Sequence, residues 1–147
     1  MTEMIKKSEF TKIDVPAFIG ALVAVPMLTS LPFLIPLFIA AAFDLHLNGA
    51  SFVLGFPVVG SFLGLPTYLT FGAYMFARTM RRGRTSAQQL IKAGLLAHVL
   101  STPLAVIGLV VIEPDDALIG GIGFLLLGCI FAPLWSAVFA ALYKRMS

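Results

Sequence analysis

The sequence predicts an all-α integral membrane protein: four transmembrane helices, kinked by proline near the bilayer midplane, with N- and C-termini both on the cytoplasmic side. Three observations predict it. The 147-residue chain is 59% hydrophobic and only 12% charged, with a mean hydropathy of +0.99, which leaves too little polar surface to coat a soluble globule. Its stretches free of Asp, Glu, Lys and Arg are 15–43, 45–77, 93–112 and 117–143, each at or beyond the roughly 20 residues that a helix needs to cross hydrocarbon. All ten basic residues lie outside those stretches, at Lys6, Lys7 and Lys12, between Arg78 and Lys92, and at Lys144 and Arg145. Threading the chain four times through a bilayer gathers every one of them on a single face, and basic loops remain in the cytoplasm. A multi-pass protein of the cell membrane, with a bacterial inner membrane as the expected location, follows.

The whole chain, 1–147, reads as one domain. Residues 1–14 mix Glu3, Lys6, Lys7, Glu9, Lys12 and Asp14 with Met4, Ile5, Phe10 and Ile13, the pattern of a short helix lying on the inner surface or of a frayed tail. The first crossing is expected over about 15–43, with Pro16 suited to a first helical turn. That run is too long for a signal-peptide core and carries no A-x-A-like site at its end, so it is expected to remain. Asp44 to Gly49 forms an outer turn with an Asn-Gly signal and no basic residue. The second crossing is expected over about 51–77, followed by the inner loop Arg78-Thr79-Met80-Arg81-Arg82-Gly83-Arg84. Thr85/Gln88 and Ser86/Gln89 have capping-box spacing, so a third crossing is expected over about 88–112. Glu113-Pro114-Asp115-Asp116 then opens the fourth, about 116–143; carboxylates there cap a helix and complement its dipole without needing a ligand.

Each expected crossing holds a proline eleven or twelve residues from its inner charged anchor: Pro26 from Asp14, Pro66 from Arg78, Pro103 from Lys92 and Pro133 from Lys144. At 1.5 Å per residue this is a depth of roughly 16–18 Å, near the midplane. A proline there deprives the carbonyl four residues earlier of its partner, and in hydrocarbon the carbonyls of Leu22, Phe62, Val99 and Cys129 need another. Polar side chains at similar depth supply a candidate layer: Thr29, Thr67, Tyr68, His98, Ser101, Thr102, Trp135 and Ser136. Two readings stay open. Either the hydroxyls bond back along their own helices and the layer cements the packing, or the kinks open a small polar cavity that holds a solute or a proton. His98 is the side chain within a crossing that titrates nearest neutrality; it is either a hydrogen-bonded clamp between helices or a proton or ligand handler.

Packing faces are marked by Gly128, Ala132, Ser136 and Ala140 at every fourth residue, and by Gly60-x-x-x-Gly64, because small residues bring backbones together in lipid. Arg78, Arg81, Arg82 and Arg84 are expected to meet anionic lipid headgroups. Pro66-Thr-Tyr68 and Pro133-Leu-Trp135 align as a faint repeat with too few matched positions to set it apart from chance. Cys129, the only cysteine, excludes an internal disulfide and reads as a packing residue.

No nucleophile elbow, phosphate-binding loop, zinc-protease motif or paired intramembrane carboxylates occur, so no enzymatic activity is expected. No metal or cofactor is expected either, since the second axial histidine that haem would need is His46, in the outer turn. The net charge of +3 is spread over three inner segments, a topology signal and not a nucleic-acid footprint. The function expected is an accessory or assembly subunit of a membrane complex, acting through helix–helix contacts, with lipids and other membrane subunits or copies of itself as partners. The alternative is a small-solute or proton-coupled transporter built on the polar layer around His98.

Overall fold

The computed structural model describes residues 12–45, 50–112, 114–115 and 117–147. The interfacial segment read at 1–11, most of the Asp44–Gly49 turn including His46, and the acidic pair Glu113 and Asp116 lie outside the described residues. The described chain is helical throughout: α1 spans Val15–Ala42, α2 Ala50–Thr67, α3 Ala73–Arg81, α4 Ala87–Ile112 and α5 Ala117–Met146, with a π-helical turn, Tyr68–Gly72, between α2 and α3. Three helical segments are long and apolar enough to cross a membrane, Val15–Ala42, Ala87–Val111 and Ala117–Met146.

The segment expected as one crossing over 51–77 is a composite. α2 ends at Thr67, one residue after Pro66, and the π turn carries the backbone into α3. Pro66 has no N–H to give, so the ladder loses a rung just before the wider turn begins. The turn closes with the Ala73 N–H reaching the Tyr68 carbonyl five residues back, and Gly72 leaves space for the Tyr68 ring, whose Cδ2 a methyl group there would meet at 3.3 Å. α3 then runs past Arg78 to Arg81, and Gly83, with φ of 72°, turns the chain out of the helix. α5 likewise continues to Met146 beyond the expected end at 143, because Lys144 and Arg145 favour a helix C-terminus.

The helix starts follow local chemistry. The Asp14 carboxylate accepts the Ala17 N–H at 3.1 Å, with Pro16 in the first turn. Ser86 Oγ accepts the Gln89 N–H at 3.4 Å ahead of α4. In the cap after α1, Asp44 takes a left-handed conformation with φ of 49°, one of the residues that tolerates it.

α4 packs most extensively on α5, α1 lies against α2 and α5, and the π turn and α3 lie against α4. The α4–α5 seam is a series of antiparallel notches: Gly94 faces Ser136, Gly128 faces His98, Gly121 faces Val106 and Gly120 faces Leu109. A buried cluster of Leu22, Val25, Phe76, Met80, Leu90 and Phe139 unites the beginning of α1, α3, the beginning of α4 and the end of α5. Phe76 stacks on Phe139 with centroids 4.7 Å apart, and Phe18 meets Phe139 edge-on at 5.3 Å. The Asp14 N–H donates to Tyr143 Oη at 3.1 Å, tying the first and last helices together at this end. Outward faces are apolar; Phe38, Ile107, Ile119 and Ile130 are all well exposed, as lipid-facing residues are.

Candidate functional site

Where the π turn, α4 and α5 meet, a cavity of about 40 Å³ is lined by Thr67, Tyr68, Gly94, His98, Trp135 and Ser136 among others. About 10–15 Å³ suffices for one water, so the space suits a few waters or a small ion and no organic solute. The Tyr68 hydroxyl and the Trp135 indole N–H both lack a hydrogen-bond partner among the protein atoms, although the two residues are only 8% and 2% exposed. The rings meet edge-on, centroids 4.8 Å apart. A buried donor without a partner is unfavourable by about 1–3 kcal/mol, so the pair makes this cavity the most polar-demanding place in the described interior.

His98 extends from α4 into the notch at Gly128, where a methyl group would overlap its ring. Its Nε2 lies 3.3 Å from the Leu125 carbonyl oxygen. Because a carbonyl only accepts, that nitrogen donates, and Nδ1 is left as an acceptor in the neutral ring. Phe124 covers the imidazole, with ring centroids 4.9 Å apart. His98 therefore joins α4 to α5 by a hydrogen bond across the seam.

The serine and threonine hydroxyls of the expected midplane layer bond along their own helices. Thr29 donates to the Val25 carbonyl at 2.9 Å and Ser30 to Pro26 at 2.7 Å. Thr67 donates to Gly64 at 2.8 Å, Ser101 and Thr102 both to His98 at 2.9 Å, and Ser136 to Ala132 at 2.5 Å. None of these bonds goes to the carbonyls of Leu22, Phe62, Val99 or Cys129 that the prolines leave short. Of the eight layer residues, Thr67, Tyr68, His98, Trp135 and Ser136 line the one cavity, and Thr29, Ser101 and Thr102 do not.

Pro66 precedes the π turn, while Pro26, Pro103 and Pro133 sit within α1, α4 and α5. Gly60 faces the Phe131 ring and Gly64 the Trp135 ring, so this pair abuts α5 from α2. Gly128 and Ser136 lie in the α4–α5 seam, Ala132 presents its carbonyl to Gly94, and Ala140 packs beside the buried cluster. Gly108, on the same helical stripe as His98, faces open space. Arg78, Arg81, Arg82 and Arg84 are exposed at the α3–α4 connection. Sequence reasoning missed the π turn and the fit of His98 into the Gly128 notch. The glycines of both helices were visible, but not which one faces the imidazole.

Three helices long and apolar enough to cross a membrane, in a chain whose described residues are helical, are those of a small membrane protein. Comparison of the chain with protein-family profiles, with curated proteins and with solved structures returned no match.

Proposed function

We propose that this protein is a four-crossing subunit of a membrane complex, working as an accessory or assembly factor through its helix faces, with both termini cytoplasmic. In this proposal the helical run from Ala50 to Arg81 is the fourth crossing, bent at its π turn, and prolines bend the other three. The buried cluster that gathers the beginning of α1, α3, the beginning of α4 and the end of α5 supports a common side for the basic segments. The observation that carries the accessory reading is an apolar groove of about 320 Å³ between α1 and α2, bordered by Met27, Leu31, Phe62, Leu65 and Leu69, with Ser30 and Ser61 buried along it. In lipid, helices associate by close packing, and this is where a further helix finds an unfilled notch.

The experiment is purification in mild detergent of the wild type and of Leu65→Trp, which fills the groove. The wild type is expected to retain another membrane protein at fixed stoichiometry, and the variant to lose it while folding normally. A monodisperse homomer of full thermal stability overturns the reading. Reporter fusions at the two ends are expected in the same compartment; opposite compartments overturn the four-crossing topology.

A second reading has one observation in its favour. The unpartnered Tyr68 and Trp135 groups share their cavity with His98, which suits passage of a proton or a small ion. A pH-dependent flux in liposomes that His98→Ala abolishes with the fold intact supports this; flux unchanged by that substitution removes His98 from any such mechanism.

A further inference from the structure

The connection between α3 and α4 holds a further groove, separate from the central cavity and from the one between α1 and α2. This groove of about 360 Å³ is lined by Arg78, Arg82 and Arg84 from the α3 side and by Lys92 from α4. Thr79 and Gln89 add polar groups, and among the described residues no carboxylate lines it. Bringing four cations to one groove is electrostatically unfavourable without a counter-anion. Backbone geometry holds them there. The Arg82 and Arg84 N–H groups both bond to the Thr79 carbonyl, at 3.2 Å each, and Gly83 supplies the left-handed turn between them.

The groove is graded. On α3, Met75 lies one turn deeper than Arg78; on α4, Leu96 lies one turn deeper than Lys92; and Met75, Ala93 and Leu96 continue the lining. One turn is about 5.4 Å, so both walls pass from cationic to apolar in the same direction and over the same distance. An inorganic anion has no use for the apolar end. A molecule with a phosphate at one end and a hydrocarbon chain at the other matches both.

We propose that this groove is a binding site for an anionic phospholipid, its phosphate held by Arg78, Arg82, Arg84 and Lys92 and an acyl chain lying against Met75 and Leu96. Guanidinium groups pair with phosphate oxygens through two parallel hydrogen bonds, which makes arginine suited to a headgroup held in place. The proposal rests on the chain being membrane-embedded with this end at the surface, and it is independent of any protein partner. Arg81 is the internal control. It belongs to the same cluster and carries the same charge, yet it does not line the groove.

The test uses the full chain in detergent micelles, with retention of phosphatidylglycerol over phosphatidylcholine read by native mass spectrometry. Arg82→Gln, Arg84→Gln and Lys92→Gln are each expected to lower retention of the anionic lipid by about fivefold, while Arg81→Gln leaves it within about twofold. Arg82→Lys, which keeps the charge, recovers part of the loss and serves if the glutamine variant folds poorly. Inorganic phosphate at millimolar concentration is expected not to displace the lipid. Equal losses for Arg81→Gln and Arg82→Gln mean a diffuse charge effect and overturn the site; displacement by phosphate alone means a simple anion site and overturns the lipid. Failure of the chain to remain with micelles at all is a different result, and it overturns the membrane reading itself.

Discussion

Gly128→Ala tests the α4–α5 seam at its most demanding point. A methyl group on residue 128 overlaps Cε1, Nε2 and Nδ1 of His98, so the ring must leave its notch or the helices must part. Leaving forfeits the 3.3 Å bond to the Leu125 carbonyl and the contact with Phe124. Overpacking of this kind destabilises by about 1–3 kcal/mol, and an interhelical hydrogen bond within a membrane protein contributes about 0.6 kcal/mol. A loss of about 2–3 kcal/mol is therefore expected for Gly128→Ala. SDS-driven unfolding of the solubilised protein, followed through the fluorescence of Trp135, the only tryptophan, measures it. Gly108→Ala and Gly123→Ala are the controls. A methyl at either meets nothing within 4 Å, and helix propensity favours alanine by about 0.5–1 kcal/mol, so neither loses stability. In the double variant His98→Ala/Gly128→Ala the obstruction is gone, and stability is expected to match that of His98→Ala alone. Additive losses, or a Gly128→Ala protein as stable as the wild type, would refute the notch as described.

Tyr68→Phe removes a buried hydroxyl that has no protein partner, so a gain of up to about 1 kcal/mol is expected in the same unfolding assay, and a loss of that size would mean that a water satisfies the hydroxyl. Cys129 is exposed on α5 within an apolar candidate span, a face that hydrocarbon would cover and shield from water-soluble reagents. In intact membranes it is accordingly expected to resist a water-soluble maleimide and to react once SDS unfolds the chain; rapid labelling in the membrane would place α5 against water. Gly60→Ala sets a methyl 2.8 Å from the Phe131 ring, which can swing aside more easily than a histidine held by a hydrogen bond, so a loss of less than about 1.5 kcal/mol is expected; a larger one would show the α2–α5 contact to be as rigid as the α4–α5 seam.

The helix starts were legible in the sequence because charge and capping are local properties. Asp14 with Pro16, and Ser86 with Gln89, announce their helix starts within a few residues. The π turn was not legible, since it adds one residue to a helical turn without changing composition. Pro66 signals a missing hydrogen bond but not how the next turn repairs it, and the answer depends on Gly72 leaving space for the Tyr68 ring. Spacing from the charged anchors gives an expected depth, at about 1.5 Å per residue. Rotation is another matter. One residue turns a side chain by about 100°, and helices apolar on every side carry no stripe to say which face turns inward. That is why Thr29 and Tyr68 look alike in the sequence and differ in the structure, one bonded along its own helix and the other lining a cavity.

The hydrogen bonds also weigh the two functional readings against each other. Thr67, Ser101, Thr102 and Ser136 satisfy themselves on nearby carbonyls of their own helices, and a hydroxyl bonded in this way contributes no donor to a passing solute unless that bond breaks. His98 directs Nε2 to Leu125. What remains for a ligand is the Tyr68 hydroxyl, the Trp135 N–H and the His98 Nδ1 lone pair, in a space of about 40 Å³. A carrier of organic solutes needs several hundred Å³, so the transport reading narrows to a proton or a small ion. An accessory subunit requires no such rearrangement. Its notches are already filled by its own glycine-facing side chains along α4 and α5, while the apolar notch between α1 and α2, of about 320 Å³, is left open.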